Sequence, residues 1–246
     1  MRAWLALCLC LICLAAQAAP PQRIAVIDWG IAETLLGLGV TPIAVAQTEG
    51  YRRWVGTPAL PEDVVDLGLR VEPNLELLSQ LKPDLILITP QFAASRAQLE
   101  RIAPVQSLAI YTREAEGYVG AQRVTRELAA LLEREAEGEA LIERIDARLL
   151  QVRQRLSQYP LPAFYIATFL DARHVRLFGK QSLYQGVLDR VGLRNAWQGP
   201  TNYWGFTQAG IERLSEQPAA ALIYLEPLPP GTAQGLADSA LWQRLP

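Results

Sequence analysis

Residues 138–157 read GEALIERIDARLLQVRQRLS, and the fold turns on them. Leu141, Ile145, Leu149, Val152 and Leu156 recur at spacings of four, four, three and four. That period lays one apolar stripe along a single helix of about 20 residues, ~30 Å long at 1.5 Å per residue. Nothing inside the stripe breaks it, and Tyr159-Pro160-Leu161-Pro162 ends it, because proline removes a backbone donor and clashes with the preceding turn.

On both sides of this helix the chain has a different rhythm. Upstream, residues 23–29 and 41–46 read as strands, with helical spacing between them through Ile31, Leu35 and Leu38. Residues 74–81 read as a helix with Asn74 at its N-cap. Residues 84–88 form a continuous apolar strand, 94–102 a short helix and 107–111 another strand. From 118 to 157 no strand signal appears, and Val124, Leu128, Leu131 and Leu132 mark one more helix. Downstream the alternation resumes, with strands at 163–170, 175–178 and 220–225 and helices at 182–191, 211–216 and 231–245. Strands alternating with helices predict parallel sheets covered on both faces. The expected fold class is therefore α/β, two βα lobes with mainly parallel sheets joined by one long helix. The expected parts are an N-terminal lobe over 19–134, the interlobe helix over 135–158 and a C-terminal lobe over 159–246.

Composition narrows the function. Half of the 246 residues are hydrophobic and 20% are charged, which excludes a disordered or collagenous chain. The formal charge of −2 offers no basic excess for phosphates, so no nucleic-acid partner is expected. Residues 1–18 read as a cleavable export signal: Arg2, an apolar run over 4–16, then Ala16-Gln17-Ala18. That run is shorter than the ~20 residues a membrane-spanning helix needs. Cys8, Cys10 and Cys13 all lie within it, and Ile12 before Cys13 spoils a lipid-attachment box. The exported chain then has no cysteine, hence no disulfide, no thiolate metal site and no cysteine nucleophile. It is expected in the periplasm as a monomer.

Catalytic constellations fall away by counting. The chain has a single His, too few for an imidazole zinc site. Phosphate-loop, dinucleotide and nucleophile-elbow motifs are missing. His174 falls in a turn between two strands, where ordinary solvation is its simplest role. What remains is aromatic and Arg: Tyr51-Arg52-Arg53-Trp54, Arg70, Phe92, Trp197 and the loop Thr201-Asn202-Tyr203-Trp204-Gly205. In open parallel sheets ligands bind beyond the carboxyl ends of the strands. Large rings there, with one Arg fork, suit a bulky ligand with an anionic centre.

Several of these segments carry a family likeness. Tyr51-Arg52-Arg53-Trp54-Val55, the run from Asp66-Leu67-Gly68-Leu69-Arg70 to Asn74-Leu75-Glu76-Leu77-Leu78, and Asn195-Ala196-Trp197-Gln198-Gly199 with the Tyr203-Trp204 loop closely resemble the periplasmic ferric-hydroxamate (ferrichrome) binding proteins of ABC importers. The resemblance runs from about residue 23 to the end and implies the class III binding-protein fold. It implies that Arg70 hydrogen-bonds hydroxamate oxygens around the iron and that Trp54, Trp204 and Tyr203 pack on the siderophore. Phe92 falls where the family often has Tyr, keeping the ring without its phenol donor. It further implies no catalytic residue, no cofactor and no protein ligand to the iron, which the siderophore already fills. Glu76 and Glu212, one per lobe, are implied to dock on the membrane permease. Family members continue past the equivalent of Pro246, so the resemblance implies a C-terminal lobe incomplete in this sequence. Two other readings stay open: a binding protein for another bulky chelate (corrinoid, haem or catecholate siderophore, met by Arg52, Arg53 and Arg70), and an exported α/β hydrolase using His174.

Overall fold

The computed structural model of the chain describes residues 20–112 and 117–244; the expected export signal lies outside the described residues. The first lobe runs β1 (Ile24–Val26), α1 (Trp29–Gly37), β2 (Ala44–Val45), α2 (Thr48–Trp54) and β3 (Val65–Asp66). A small hairpin, β4 (Gly68–Leu69) and β5 (Glu72–Pro73), leads into α3 (Leu75–Leu81) and β6 (Leu85–Ile88). A 3₁₀ turn over Pro90–Ser95, α4 (Arg96–Leu99) and β7 (Val105–Ser107) follow. Five strands form one sheet in the order β3-β2-β1-β6-β7, every pair parallel.

Strand alternation sorts this sheet's side chains into two cores. Ile24 and Val26 of β1, with Leu85 and Leu87 of β6, face α1 and the following helix α5 (Gly117–Leu131). Ala25, Ile27, Ile86 and Ile88 face the other way, onto Leu78 of α3, Phe92 and Leu99. Phe92 is thus a core residue, 3% exposed, and not the cleft ring expected from its place just beyond β6. The 3₁₀ turn opened by Pro90 brings it back under the sheet.

The long helix, α6 (Glu135–Leu156), spans 22 residues. It is a strut and not a buried element. Only Gly138 and Ile142 are buried in it, and Ile145, in the middle of the expected stripe, is 42% exposed. Its packing partners are α5 and α7 (Leu183–Val191) of the second lobe, which also touch each other. A helix bridging two bodies has core to bury against only near those contacts, so polar residues surround it elsewhere.

The second lobe holds β8 (Ala163–Phe169), β9 (His174–Phe178), β10 (Arg194–Asn195) and β11 (Phe206–Gly210). A 3₁₀ turn (Ile211–Glu216), β12 (Ala221–Tyr224), α8 (Thr232–Ala237) and a last 3₁₀ turn (Trp242–Arg244) complete it. This sheet is mixed. β10 and β12 run parallel to β8, whereas β9 is antiparallel to both β8 and β11. Phe164 of β8 pairs with both β10 and β12, so these lie on opposite edges of β8. The antiparallel step has a local cause: Asp171 Oδ1 accepts from the N–H groups of Arg173 (2.6 Å) and His174 (2.8 Å), closing a short turn that a parallel crossover could not use. Tyr165, Ala167, Phe169, Val175, Leu177 and Trp197 make this lobe's core. Trp197 is therefore packing, not cleft lining.

Candidate functional site: the cleft between the lobes

The first sheet reverses its chain order between β1 and β6, the switch point at which such sheets open a crevice. The residues just past those two strands line a cavity of about 180 Å³: Asp28 after β1, then Thr89, Pro90 and Gln91 after β6. Tyr111, beyond β7, continues this wall, and Tyr203 and Trp204 of the second lobe close it from across the cleft.

Asp28 is the N-cap of α1: its Oδ1 accepts from the N–H of Gly30 (2.9 Å) and Ile31 (3.3 Å). Among the described residues its Oδ2 has only the Thr89 hydroxyl, at 3.4 Å. Burial pushes its pKa above the ordinary carboxylate value, against the pull of those N–H groups and of the Arg70 guanidinium. Trp29, next in sequence, donates from Nε1 to the Ala46 carbonyl at 3.0 Å. Its ring lies so close over α2 that a Cβ on Gly50 would stand 2.3 Å from it. Position 50 therefore admits no side chain unless the ring moves.

Arg70 sits in the turn of the β4–β5 hairpin, its guanidinium carbon 3.7 Å from the centre of the Trp29 ring. Burial lowers its pKa, and Asp28 nearby opposes that. Its Nε is sealed from solvent without a hydrogen-bond partner among the described residues. A cation stacked on an indole, beside a carboxylate and short of acceptors, is a docking point for anionic oxygens.

The opposite wall is a tight loop. Asn202 Oδ1 accepts from the N–H of Trp204 (3.0 Å) and Phe206 (3.2 Å), and the Gly205 carbonyl accepts from the Gly179 N–H at 2.8 Å. Gly205 holds φ at +76°, and a Cβ there would be 2.1 Å from the Ser182 nitrogen, so only glycine fits. The turn thrusts Tyr203 and Trp204 outward, 46% and 44% exposed. Trp204 stacks on Phe206 at 6.1 Å and 17°, and Arg176 lies over Phe206 at 4.9 Å. The Tyr203 hydroxyl donates to the Tyr111 carbonyl, and the two rings meet at 6.4 Å. Two lobes thus touch through aromatic residues over a floor that carries opposite charges.

Of the residues singled out in the sequence, Tyr203 and Trp204 line this cavity, and Arg70 stands behind its wall, on Trp29 and within the field of Asp28. Trp54 ends α2, one helical turn past Gly50 and outside the cavity lining, 45% exposed. Glu76 and Glu212 are exposed in the first turns of α3 and of the 3₁₀ turn Ile211–Glu216. Asp28, Trp29 and Tyr111 were missed as site residues, although the first two directly follow the first strand, where the switch-point rule points. His174 pairs through Nδ1 with Asp171 at 2.9 Å in an exposed turn, away from the cleft lining. Among the described residues no group of three or more His, Cys, Asp or Glu gathers to hold a metal ion.

Two βα lobes sharing one long helix, with their cleft at the sheet ends, is the architecture of class III periplasmic binding proteins. A family model described as "Periplasmic binding protein" matches residues 24–246, and the chain belongs to that family. It is similar to the iron(3+)-hydroxamate-binding protein FhuD of Escherichia coli K12, 34% identical over 231 residues, 94% of this chain and 78% of that protein. It also resembles the crystal structure of the Vibrio cholerae siderophore-binding protein FhuD with Fe3+-Desferal bound. There the TM-score is 0.87 at 31% identity, covering 92% of this chain and 85% of that one. Staphylococcus aureus SirA complexed with staphyloferrin B shares the fold at 21% identity, TM-score 0.68, with 93% and 81% covered.

Proposed function

We propose that this protein captures ferric hydroxamate siderophores in the periplasm and delivers them to the permease of an ABC importer for iron uptake. The observation that carries it is Arg70: a guanidinium held on Trp29, its Nε buried without an acceptor among the described residues, beside Asp28, whose cavity is closed by Tyr203 and Trp204. Hydroxamate oxygens supply the missing acceptor, and the rings cover the organic backbone of the chelate. The E. coli and Vibrio cholerae relatives, named for hydroxamate or siderophore binding, support the same ligand. A cavity of about 180 Å³ lies below the ~300–1,000 Å³ usual for enclosed ligand sites, so part of the siderophore stays in solvent.

In this reading the iron keeps its siderophore ligands throughout and the protein performs no chemistry on it. Trp54 serves as an outer ring on the first lobe. Glu76 and Glu212, one per lobe and free of ion pairs among the described residues, dock on the two halves of the permease. The N-terminal lobe 19–134 and C-terminal lobe 159–246 act as the two jaws, with 135–158 between them. Export follows the signal over 1–18. Among the described residues no helix is long and apolar enough to cross a membrane. The test is a titration of intrinsic Trp fluorescence with ferrichrome. Saturable quenching at micromolar ligand is expected, and none at that concentration refutes the reading.

A further inference from the structure

We propose that Asp28 is the selectivity charge of the cleft: set against Arg70, it balances the cleft floor and favours uncharged iron chelates over polyanionic ones. The inference rests on the siderophore reading above and concerns which chelates are turned away.

Capping α1 calls only for an acceptor oxygen, which Ser or Asn would supply as well. A carboxyl group adds an ionisable site where burial makes the charge costly and the Arg70 guanidinium favours it. That charge is directed at the cavity, not absorbed by the fold: Oδ1 takes both backbone donors, while Oδ2 keeps only the long 3.4 Å contact from Thr89. Asp28 lines the cavity wall directly. Of the charged groups, Arg70 on the hairpin is close enough to act on Asp28, and Arg176 lies over Phe206, the ring that stacks on Trp204 in the opposite wall. The cleft floor therefore sets one carboxyl group against one guanidinium.

Ligand chemistry gives this balance its meaning. Three hydroxamates, each with one negative charge, cancel Fe3+, and the complex is neutral. Three catecholates, each with two, leave three negative charges in excess. A cleft furnished with arginines alone would draw the polyanion more strongly, because charge–charge energies grow as water is excluded. Asp28 removes that advantage while leaving Arg70 able to donate to hydroxamate oxygens. Rejection by a like charge is a recognised route to specificity.

The experiment measures, by Trp-fluorescence titration of the full chain, the affinities for ferrichrome and for a ferric tris-catecholate complex. The readout is their ratio, in the native sequence and in Asp28→Asn and Asp28→Glu. Asp28→Asn keeps a cap oxygen and is expected to shift the ratio about tenfold toward the catecholate, or ~1.4 kcal/mol. Asp28→Glu keeps the charge and is expected to hold the original ratio. A ratio that Asp28→Asn leaves within about twofold, or that both variants shift equally, overturns the inference. If Asp28→Asn fails to fold, Asp28→Ser, which also supplies a cap oxygen, gives the same reading. Failure of the native protein to bind ferrichrome would strike the hydroxamate reading alone. The inference about Asp28 would still be decided by whether its neutralisation raises affinity for the polyanion.

Discussion

Removal of the Arg70 side chain is the most direct perturbation of this cleft. The guanidinium makes no hydrogen bond among the described residues. Its attachments are the Trp29 ring at 3.7 Å and the field of Asp28. Arg70→Ala therefore removes little from the fold: one cation–π contact, worth about 0.5–1 kcal/mol at a partly exposed site. The siderophore complex loses more. A hydrogen bond from a charged donor to a hydroxamate oxygen contributes roughly 1.5–3 kcal/mol, which at ~1.4 kcal/mol per decade weakens binding by about tenfold to a little over a hundredfold. Arg70→Lys, which keeps the charge but loses the planar fork, is expected between the two. The assay is ferrichrome titration of Trp fluorescence beside thermal unfolding of each variant. Affinity loss with a nearly unchanged melting temperature is the expected pattern. Unchanged affinity would show that the guanidinium is there for Trp29 and Asp28 alone, and equal losses of affinity and stability would make it structural.

Four further outcomes follow from the same geometry. Tyr203→Phe keeps the ring but deletes the donor to the Tyr111 carbonyl, so backbone amide exchange around Tyr111 should quicken, at a stability cost of about 0.5–1.5 kcal/mol; unchanged exchange would mean that the bond does not tie the lobes. Burial alone would raise the Asp66 pKa, but the Thr48 hydroxyl and the N–H groups of Gly68, Thr48 and Gln47 hold it below the ordinary carboxylate value. The stabilisation that this implies is full above the unfolded pKa of ~3.9 and fades as pH falls through the lower folded value; Asp66→Asn should thus be less stable at pH 7, with the gap closing under strong acid, as denaturant melts across pH will show. Gly205→Ala forces a Cβ against the Ser182 nitrogen at a positive φ and should lower both melting temperature and ferrichrome affinity. Glu76→Lys combined with Glu212→Lys should leave ferrichrome affinity intact and abolish siderophore-dependent uptake in whole cells; normal uptake would reduce both acids to helix-end charges, which the macrodipole favours by under ~1 kcal/mol each.

The parts of the fold that were legible in the sequence are those whose cause is local. Asn74 caps α3 through its own side chain, accepting from the Leu77 N–H at 2.9 Å, and the signal lies within four residues. β6 is apolar throughout because both its faces are covered, and its buried pattern is unbroken. The parts that were not legible have causes far off in the chain. Tyr51, Arg52, Arg53 and Trp54 read as loop, yet they belong to α2, whose start is held by Asp66. That carboxylate accepts from the Gln47 and Thr48 N–H groups and the Thr48 hydroxyl, 18 or 19 residues away. No window around Thr48 contains that cap. β10, at two residues, exists only because Arg194 and Asn195 pair with Ala163 and Phe164, and β11 only because β9 runs back beside it.

The site divides along the same line. Arg70 and the Tyr203-Trp204 loop were visible because they sit where no helix or strand accounts for them. Asp28 and Trp29 were hidden by an element boundary: β1 stops at Val26, three residues before the strand signal ends, and the last two of those lie at the cleft, Asp28 in its lining and Trp29 under Arg70. Phe92 misled for the opposite reason. Its position past β6 matched the rule for ligand crevices, but the 3₁₀ turn opened by Pro90 sends Gln91 to the cavity and Phe92 to the core. Position along the chain selects which loop borders a cleft; the backbone turn within that loop selects which residue faces it. The strut α6 makes the same point on a larger scale. Its stripe correctly signalled one long helix, but periodicity cannot tell a buried stripe from one left open between two lobes.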